Sequence, residues 1–302
     1  MNAREWLAED AAAPDLVLFG APISKASITR VESWSTPPAF RDALRRFPTW
    51  DAEHAVDITA LHVRDLGDVQ GDLDDADARA AHARIQAAAD SAASTSEHVV
   101  VVGGDNSLTR PVLQGLMNAK PGAWALLTLD AHHDCRPATD GSRNGTPVRE
   151  LIEAGLPGDR VVQIGIHPLG NAREHAEWAR AQGIHVVPLD VVRRDGMETV
   201  IESALSLLVA RGVTNIHVDF DIDVVDRAFA PACPASLPGG LQPADLLRAA
   251  YLLGADPHVA GADLCEVDAN ADVNGMTLRL MAATFLSFCS GLATRATGRP
   301  AI

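Results

Sequence analysis

Short runs rich in Val, Ile and Leu alternate along this chain with longer stretches of helical period, and that alternation admits few folds. The strand candidates are residues 16–19, 99–102, 125–129, 161–166, 186–188, 215–220 and 259–264. Between them lie amphipathic helix candidates at 76–93, 109–119, 172–182, 199–210, 243–253 and 276–292. The pattern predicts an α/β protein with a mostly parallel sheet and helices on both faces. With 302 residues, 47% of them hydrophobic and 22% charged, the chain can build one large core. No linker, repeat or low-complexity tract interrupts it, so residues 1–302 are read as a single domain.

Composition removes several classes of function. Lys and Arg total 25 against 40 Asp and Glu, a formal charge of −15 that repels phosphate backbones and anionic membrane surfaces. No nucleic-acid or membrane partner is expected. The amino-terminal stretch MNAREWLAEDAAAPD lacks the features of a signal or transit peptide, and no apolar run is read as approaching the roughly 20 residues of a membrane span. A cytoplasmic location is the default. The four cysteines, Cys135, Cys233, Cys265 and Cys289, lie far apart and form no CxxC pair, so they are read as buried small side chains.

In an open parallel sheet, ligands bind beyond the carboxyl ends of the strands. Four strand candidates run into polar clusters: GGDNS (103–107), DAHHD (130–134), DIDVVD (221–226) and CEVDAN (265–270). Side chains two apart on extended backbone share a face, so Asp130, His132 and Asp134 converge if strand geometry persists, as do Asp221 and Asp223, with Asp219 one step deeper. If the two strands are neighbours, four carboxylates meet, and like charges about 4 Å apart repel by roughly 4 kcal/mol per pair at an effective dielectric near 20. Arg136 alone does not neutralise them. Two divalent cations do, and oxygen-rich ligands with one imidazole suit Mn²⁺ better than zinc. A lone DxD is commonplace, but DxHxD and DxDxxD after two apolar strands of one chain point to a dinuclear manganese centre.

In this order and spacing, GGDNS, DAHHD, DFDIDVVDRAFAP and CEVDAN resemble the ureohydrolase superfamily of arginases, agmatinases and formimidoylglutamases. Weaker similarities at STPPAFRDAL (35–44) and DLGDV (65–69) extend the likeness over nearly the whole chain. The resemblance implies a three-layer, arginase-like α/β/α fold and a binuclear Mn²⁺ hydrolase acting at an amidine or guanidine carbon, assembled as a homo-oligomer. Position by position it implies Asp130 and Asp221 as bridging carboxylates, His132 and Asp223 as ligands of one metal, and Asp134 as a ligand of the other. Asp134 is also expected to serve as the catalytic acid–base, and the resemblance implies that Glu266 holds the cationic end of the substrate. Asp263 is expected to orient a ligand. Asn106 stands where the family usually has histidine. As a metal ligand it offers only a neutral carbonyl oxygen, so its ion should be loosely held.

The substrate reading rests on DCRP (134–137) and NGTPVR (144–149), which resemble formimidoylglutamases more than arginases. Asn144 occupies the position of the proton-relay histidine of arginases and agmatinases. Arg136 offers a planar fork for a substrate carboxylate; a salt bridge to Asp140 is the competing reading. Asn171 aligns with a substrate-contacting asparagine, or caps the helix at 172–182. The reading chosen is hydrolysis of N-formimidoyl-L-glutamate to L-glutamate and formamide in histidine breakdown, with Arg136, Asn144, Asn171 and Glu266 contacting substrate. The alternatives are another ureohydrolase acting on agmatine, arginine or a guanidino acid, and a metal-poor, non-catalytic relative motivated by Asn106.

Overall fold

Successive residues of the central strands send their side chains into two separate cores. Leu16, Leu18, Val100, Val102, Ala125 and Leu127 face one, whereas Val17, Phe19, Val99, Val101 and Leu126 face the other. A sheet buried on both faces needs helices on both, and the chain supplies them. The computed structural model describes residues 1–8 and 10–297. In chain order these form α1 (Ala3–Leu7), β1 (Leu16–Ala21), α2 (Thr36–Ala43), the small hairpin β2 (Trp50–Asp51) and β3 (Val56–Asp57), β4 (Val63–Asp68), α3 (Arg79–Ala93), β5 (His98–Gly103) and α4 (Thr109–Ala119). They continue with β6 (Trp124–Leu129), α5 (Pro147–Glu153), β7 (Val161–Ile166), α6 (Arg173–Ala181), β8 (His185–Pro188), α7 (Leu189–Asp195), α8 (Met197–Ala210), β9 (Asn215–Asp221), α9 (Pro243–Ala255), β10 (Val259–Cys265) and α10 (Met276–Thr297). Helices α3 to α6 cover one face; α1, α2 and α7 to α10 cover the other.

Eight strands form one parallel sheet in the order β4-β1-β5-β10-β9-β6-β7-β8. All seven sequence-predicted strands are present. The eighth, β4, was not expected because VRDLGD carries no apolar run. It sits at the sheet edge, where only one neighbour pairs with it and polar side chains stay wet. Buried Arg41 of α2 ties it down, donating to both Asp65 carboxylate oxygens at 2.7 and 2.8 Å and to Asp68.

One composition-based expectation is corrected. Residues 276–295 of α10 are long and apolar enough to cross a membrane by length and hydropathy. Two-thirds of that stretch is buried, with Phe285 and Phe288 packed against Phe40 and Phe220. It is an internal helix of the core, which is why it is apolar nearly all round.

The strand order sets the location of the site. Strands β5, β10, β9 and β6 are consecutive in space though distant in sequence. Their carboxyl ends therefore bring together all four polar clusters.

Candidate metal centre and active site

Strands β6 and β9 pair in register from Trp124–Asn215 to Leu129–Phe220, so Asp130 and Asp221 leave the sheet side by side. Beyond that point strand geometry stops, and alternation along extended backbone does not explain the convergence. Asp221 accepts the Asp223 N–H at 2.8 Å and opens a 3₁₀ turn over Ile222–Val224, which swings Asp223 back toward β6. Asp223 accepts the Ala131 N–H at 3.0 Å and meets His132 Nδ1 at 2.6 Å. The Asp130 carboxylate accepts the His132 N–H at 2.5 Å. Asp134 enters the site through a left-handed backbone (φ 50°), as Glu266 does after β10 (φ 64°). Such conformations are costly for residues with a Cβ and concentrate at functional sites.

The result is a buried acidic floor. Asp130, Asp134, Asp221, Asp223 and Glu266 are all at least 92% removed from solvent. Burial, reinforced by Asp223, pushes Asp130 up to about 7. Burial and Asp130 lift Asp134 well above the carboxylate range, and burial and Asp223 do the same to Asp221. Burial and then Asp105 push Glu266 up to about 8. Asp223 moves the other way: burial opposes its ionisation, but the His132 imidazole beside it prevails and holds it low. In return Asp223 pushes His132 up to about 12.

Imidazolium is thus the sole cation contacting a cluster of five acids among the described residues, which leaves the cluster short of positive charge. One buried oxygen, Asp130 Oδ2, has no hydrogen-bond partner among the described residues. Ligating atoms of Asp130, His132 and Asp223 lie within 4.8 Å of one another. Orphaned buried oxygen, clustered carboxylates and one imidazole are the donor chemistry of a hard divalent cation.

Asn106 is buried beside this cluster. Its Nδ2 donates to Asp134 at 2.6 Å, its Oδ1 accepts from Thr109 at 2.7 Å, and its backbone N–H donates to Glu266 at 2.7 Å. The amide therefore points a donor, and not its carbonyl oxygen, at the acids. Behind it, Thr109 reaches Asp263 at 3.3 Å, and Asp263 meets His217 at 2.6 Å with both side chains fully buried. Asp219 pairs with Thr128 and Asp263 across the neighbouring strands, and burial and then Asp263 lift its carboxyl well above the usual carboxylate range.

A cavity of about 170 Å³ opens above the acids. Asp134, Asp221, Asp223 and Glu266 form its floor, and Arg136, Asn144, Asn171 and His175 border it. Arg136 makes no ion pair among the described residues, with Asp140 or any other acid; its methylene stem crosses Gly145, where a Cβ would sit 2.8 Å from Arg136 Cδ. Asn144 donates to Glu266 at 3.0 Å and accepts the Ile28 N–H at 3.0 Å. Asn171 does not cap α6. Its Oδ1 accepts the His133 N–H at 2.9 Å and its Nδ2 donates to Ala131 O at 3.0 Å, so it braces the DAHHD loop. His133 turns away to Gln163 at 2.7 Å, and Cys135 is a buried thiol against His133 O.

The family model described as the arginase family matches residues 14–290. The chain belongs to the arginase family. Among curated arginase-family relatives, a formimidoylglutamase from Halalkalibacterium halodurans is 35% identical over 93% of this chain and 88% of its own length. The crystal structure of formimidoylglutamase from Bacillus subtilis superposes with a TM-score of 0.88 at 30% identity, covering 95% of this chain and 88% of that one. That of Trypanosoma cruzi formiminoglutamase with Mn²⁺₂ gives 0.89 at 25% identity over 99% of both.

Sequence reasoning missed several contributors to the cavity, among them Pro234 and Ala235 after β9. The segment Ser27–Ile28–Thr29 after β1 borders it without carrying any titratable group, and His175 lay inside an ordinary amphipathic helix pattern.

Proposed function

We propose that this protein is a manganese-dependent hydrolase of linear amidines whose substrate is N-formimidoyl-L-glutamate, releasing L-glutamate and formamide. The observation that carries the reading is the polarity of the cavity: an acidic floor and an unpaired Arg136 at its edge. A substrate with an amidinium at one end and carboxylate at the other is complementary to it. Agmatine, cationic at both ends, is repelled by Arg136. The formimidoylglutamase names of the relatives support the same choice.

Asp130, His132, Asp134, Asp221 and Asp223 would hold two Mn²⁺ ions, with Asn106 joining them only after its amide turns over. When bound, the ions supply Lewis acidity that generates a nucleophilic water near neutral pH. Glu266, held by the Asn106 N–H and by Asn144, receives the amidinium and fixes the reacting carbon above the acids. Asp134, in the floor of the cavity, takes the proton released on attack and returns it to the departing amine nitrogen. Arg136 grips a substrate carboxylate in a bidentate fork. The step belongs to histidine breakdown, and the reading carries with it a cytoplasmic homo-oligomer.

The test is product analysis on protein loaded with Mn²⁺. Formamide and L-glutamate from N-formimidoyl-L-glutamate support the reading. Urea from agmatine, arginine or a guanidino acid, without formamide from the amidine, overturns it.

A further inference from the structure

Arg136 is not the only unsatisfied basic group at the opening. His175, in the first turn of α6, borders the same cavity, and its side chain has no hydrogen bond or ion pair among the described residues. The two are electrically coupled: after burial, Arg136 is the main influence holding the imidazole below its ordinary value, with Arg149 acting in the same sense and Glu174 against it. Arg149 itself is taken up by Glu153 at 2.7 Å and lies over Trp178. Two neighbouring donors without partners, in a chain of net charge −15, mark a place that receives anionic groups from outside.

The backbone beneath each of them is anchored. Asn171 fastens the segment before α6 to the backbone of Ala131 and His133. The Arg136 N–H donates to Gly145 O at 3.0 Å, and the Arg136 stem lies against Gly145. The backbones that carry both donors are therefore anchored beside Asp134, and both side chains border the same cavity.

Resting on the substrate reading above, we infer that His175 is a specificity-determining residue that takes the second carboxylate of a dicarboxylic substrate while Arg136 takes the first. The pair distinguishes N-formimidoyl-glutamate, which has two carboxylates, from amidines and guanidino acids that have one. Neutral imidazole serves as well as imidazolium, because a single N–H donated to a carboxylate is enough.

The test compares N-formimidoyl-L-glutamate with N-formimidoyl-4-aminobutyrate and N-formimidoyl-L-alanine, each of which lacks one carboxylate. His175→Ala lowers kcat/KM for the glutamate substrate about tenfold through KM, in keeping with loss of one hydrogen bond to a charged group. The loss is much smaller for one of the two truncated substrates, and His175→Gln, which keeps an N–H donor, restores part of it. An equal loss on all three substrates, or none on any, overturns the inference while leaving the hydrolase reading intact. Calorimetric binding of L-glutamate to Mn²⁺-loaded protein gives a readout that needs no turnover. Weakening by about tenfold in His175→Ala supports the pairing even if no amidine is hydrolysed, and unchanged affinity refutes it.

Discussion

Replacing Asp130 by Asn should stabilise the metal-free protein at pH 8 and abolish most of its response to Mn²⁺. Below about pH 4 Asp130 is protonated in folded and unfolded chains alike, and its burial costs nothing. Between 3.8 and about 7 only the unfolded chain ionises, so folding takes up a proton and stability falls as pH rises. Above about 7 the penalty is complete. At about 1.36 kcal/mol per pH unit, that interval amounts to roughly 4 kcal/mol, shared with the carboxylates that repel Asp130. At about 2 °C per kcal/mol for a chain of this size, Asp130→Asn should raise the melting temperature of EDTA-treated protein by up to roughly 8 °C at pH 8, and by little at pH 4. Wild-type protein in a hundredfold excess of Mn²⁺ over Kd should gain about 3 kcal/mol per occupied site, a gain the variant largely loses. Differential scanning calorimetry of both proteins from pH 4 to 8, with EDTA and with Mn²⁺, measures all of this. A variant that is less stable than wild type at pH 8 without metal, or one that keeps the full Mn²⁺ shift, refutes the claim that repulsion among these acids is what the ions relieve.

Asn106→His should tighten Mn²⁺ binding, because imidazole is the better ligand and no longer offers Asp134 an amide donor; metal stoichiometry after dialysis against a fixed low Mn²⁺ concentration reads this directly. Asn144→Ala removes a donor that holds Glu266 and should lower kcat by about tenfold without unfolding the chain, checked by steady-state kinetics alongside circular dichroism. His217→Ala breaks a fully buried pair with Asp263 and should cost about 3–5 kcal/mol in denaturant melts. Gly104→Ala places a Cβ 1.8 Å from Ile23 O, against backbone that cannot give way, and should leave the protein poorly folded on expression.

Much of this molecule is written in its local pattern. Apolar runs bounded by helical stretches specify strands wherever both faces are buried, so all seven such strands were legible, as were the acids at their ends. Strand β4 was not, since an edge position tolerates polar residues and erases the signal. Asp130, Asp134, Asp221 and Asp223 could be named from type and spacing because so many carboxylates beside apolar strands need an external positive charge, whereas Glu266 was named only through the family resemblance of its motif. How they meet was beyond the sequence: the convergence of Asp223 and Asp134 depends on a 3₁₀ turn and a left-handed residue, held by hydrogen bonds between segments about 90 residues apart.

Tertiary structure alone decided which residues surround the acids. Nothing local in Asn171 says that its amide braces the DAHHD loop, or in Asn106 that it turns a donor toward Asp134, and His175 looks like any polar residue on a helix. The physical reason is the same in each case. Charge and apolar periodicity are properties of the chain itself, whereas a hydrogen-bond partner or a place at a cavity's edge exists only once strand order has brought distant segments together.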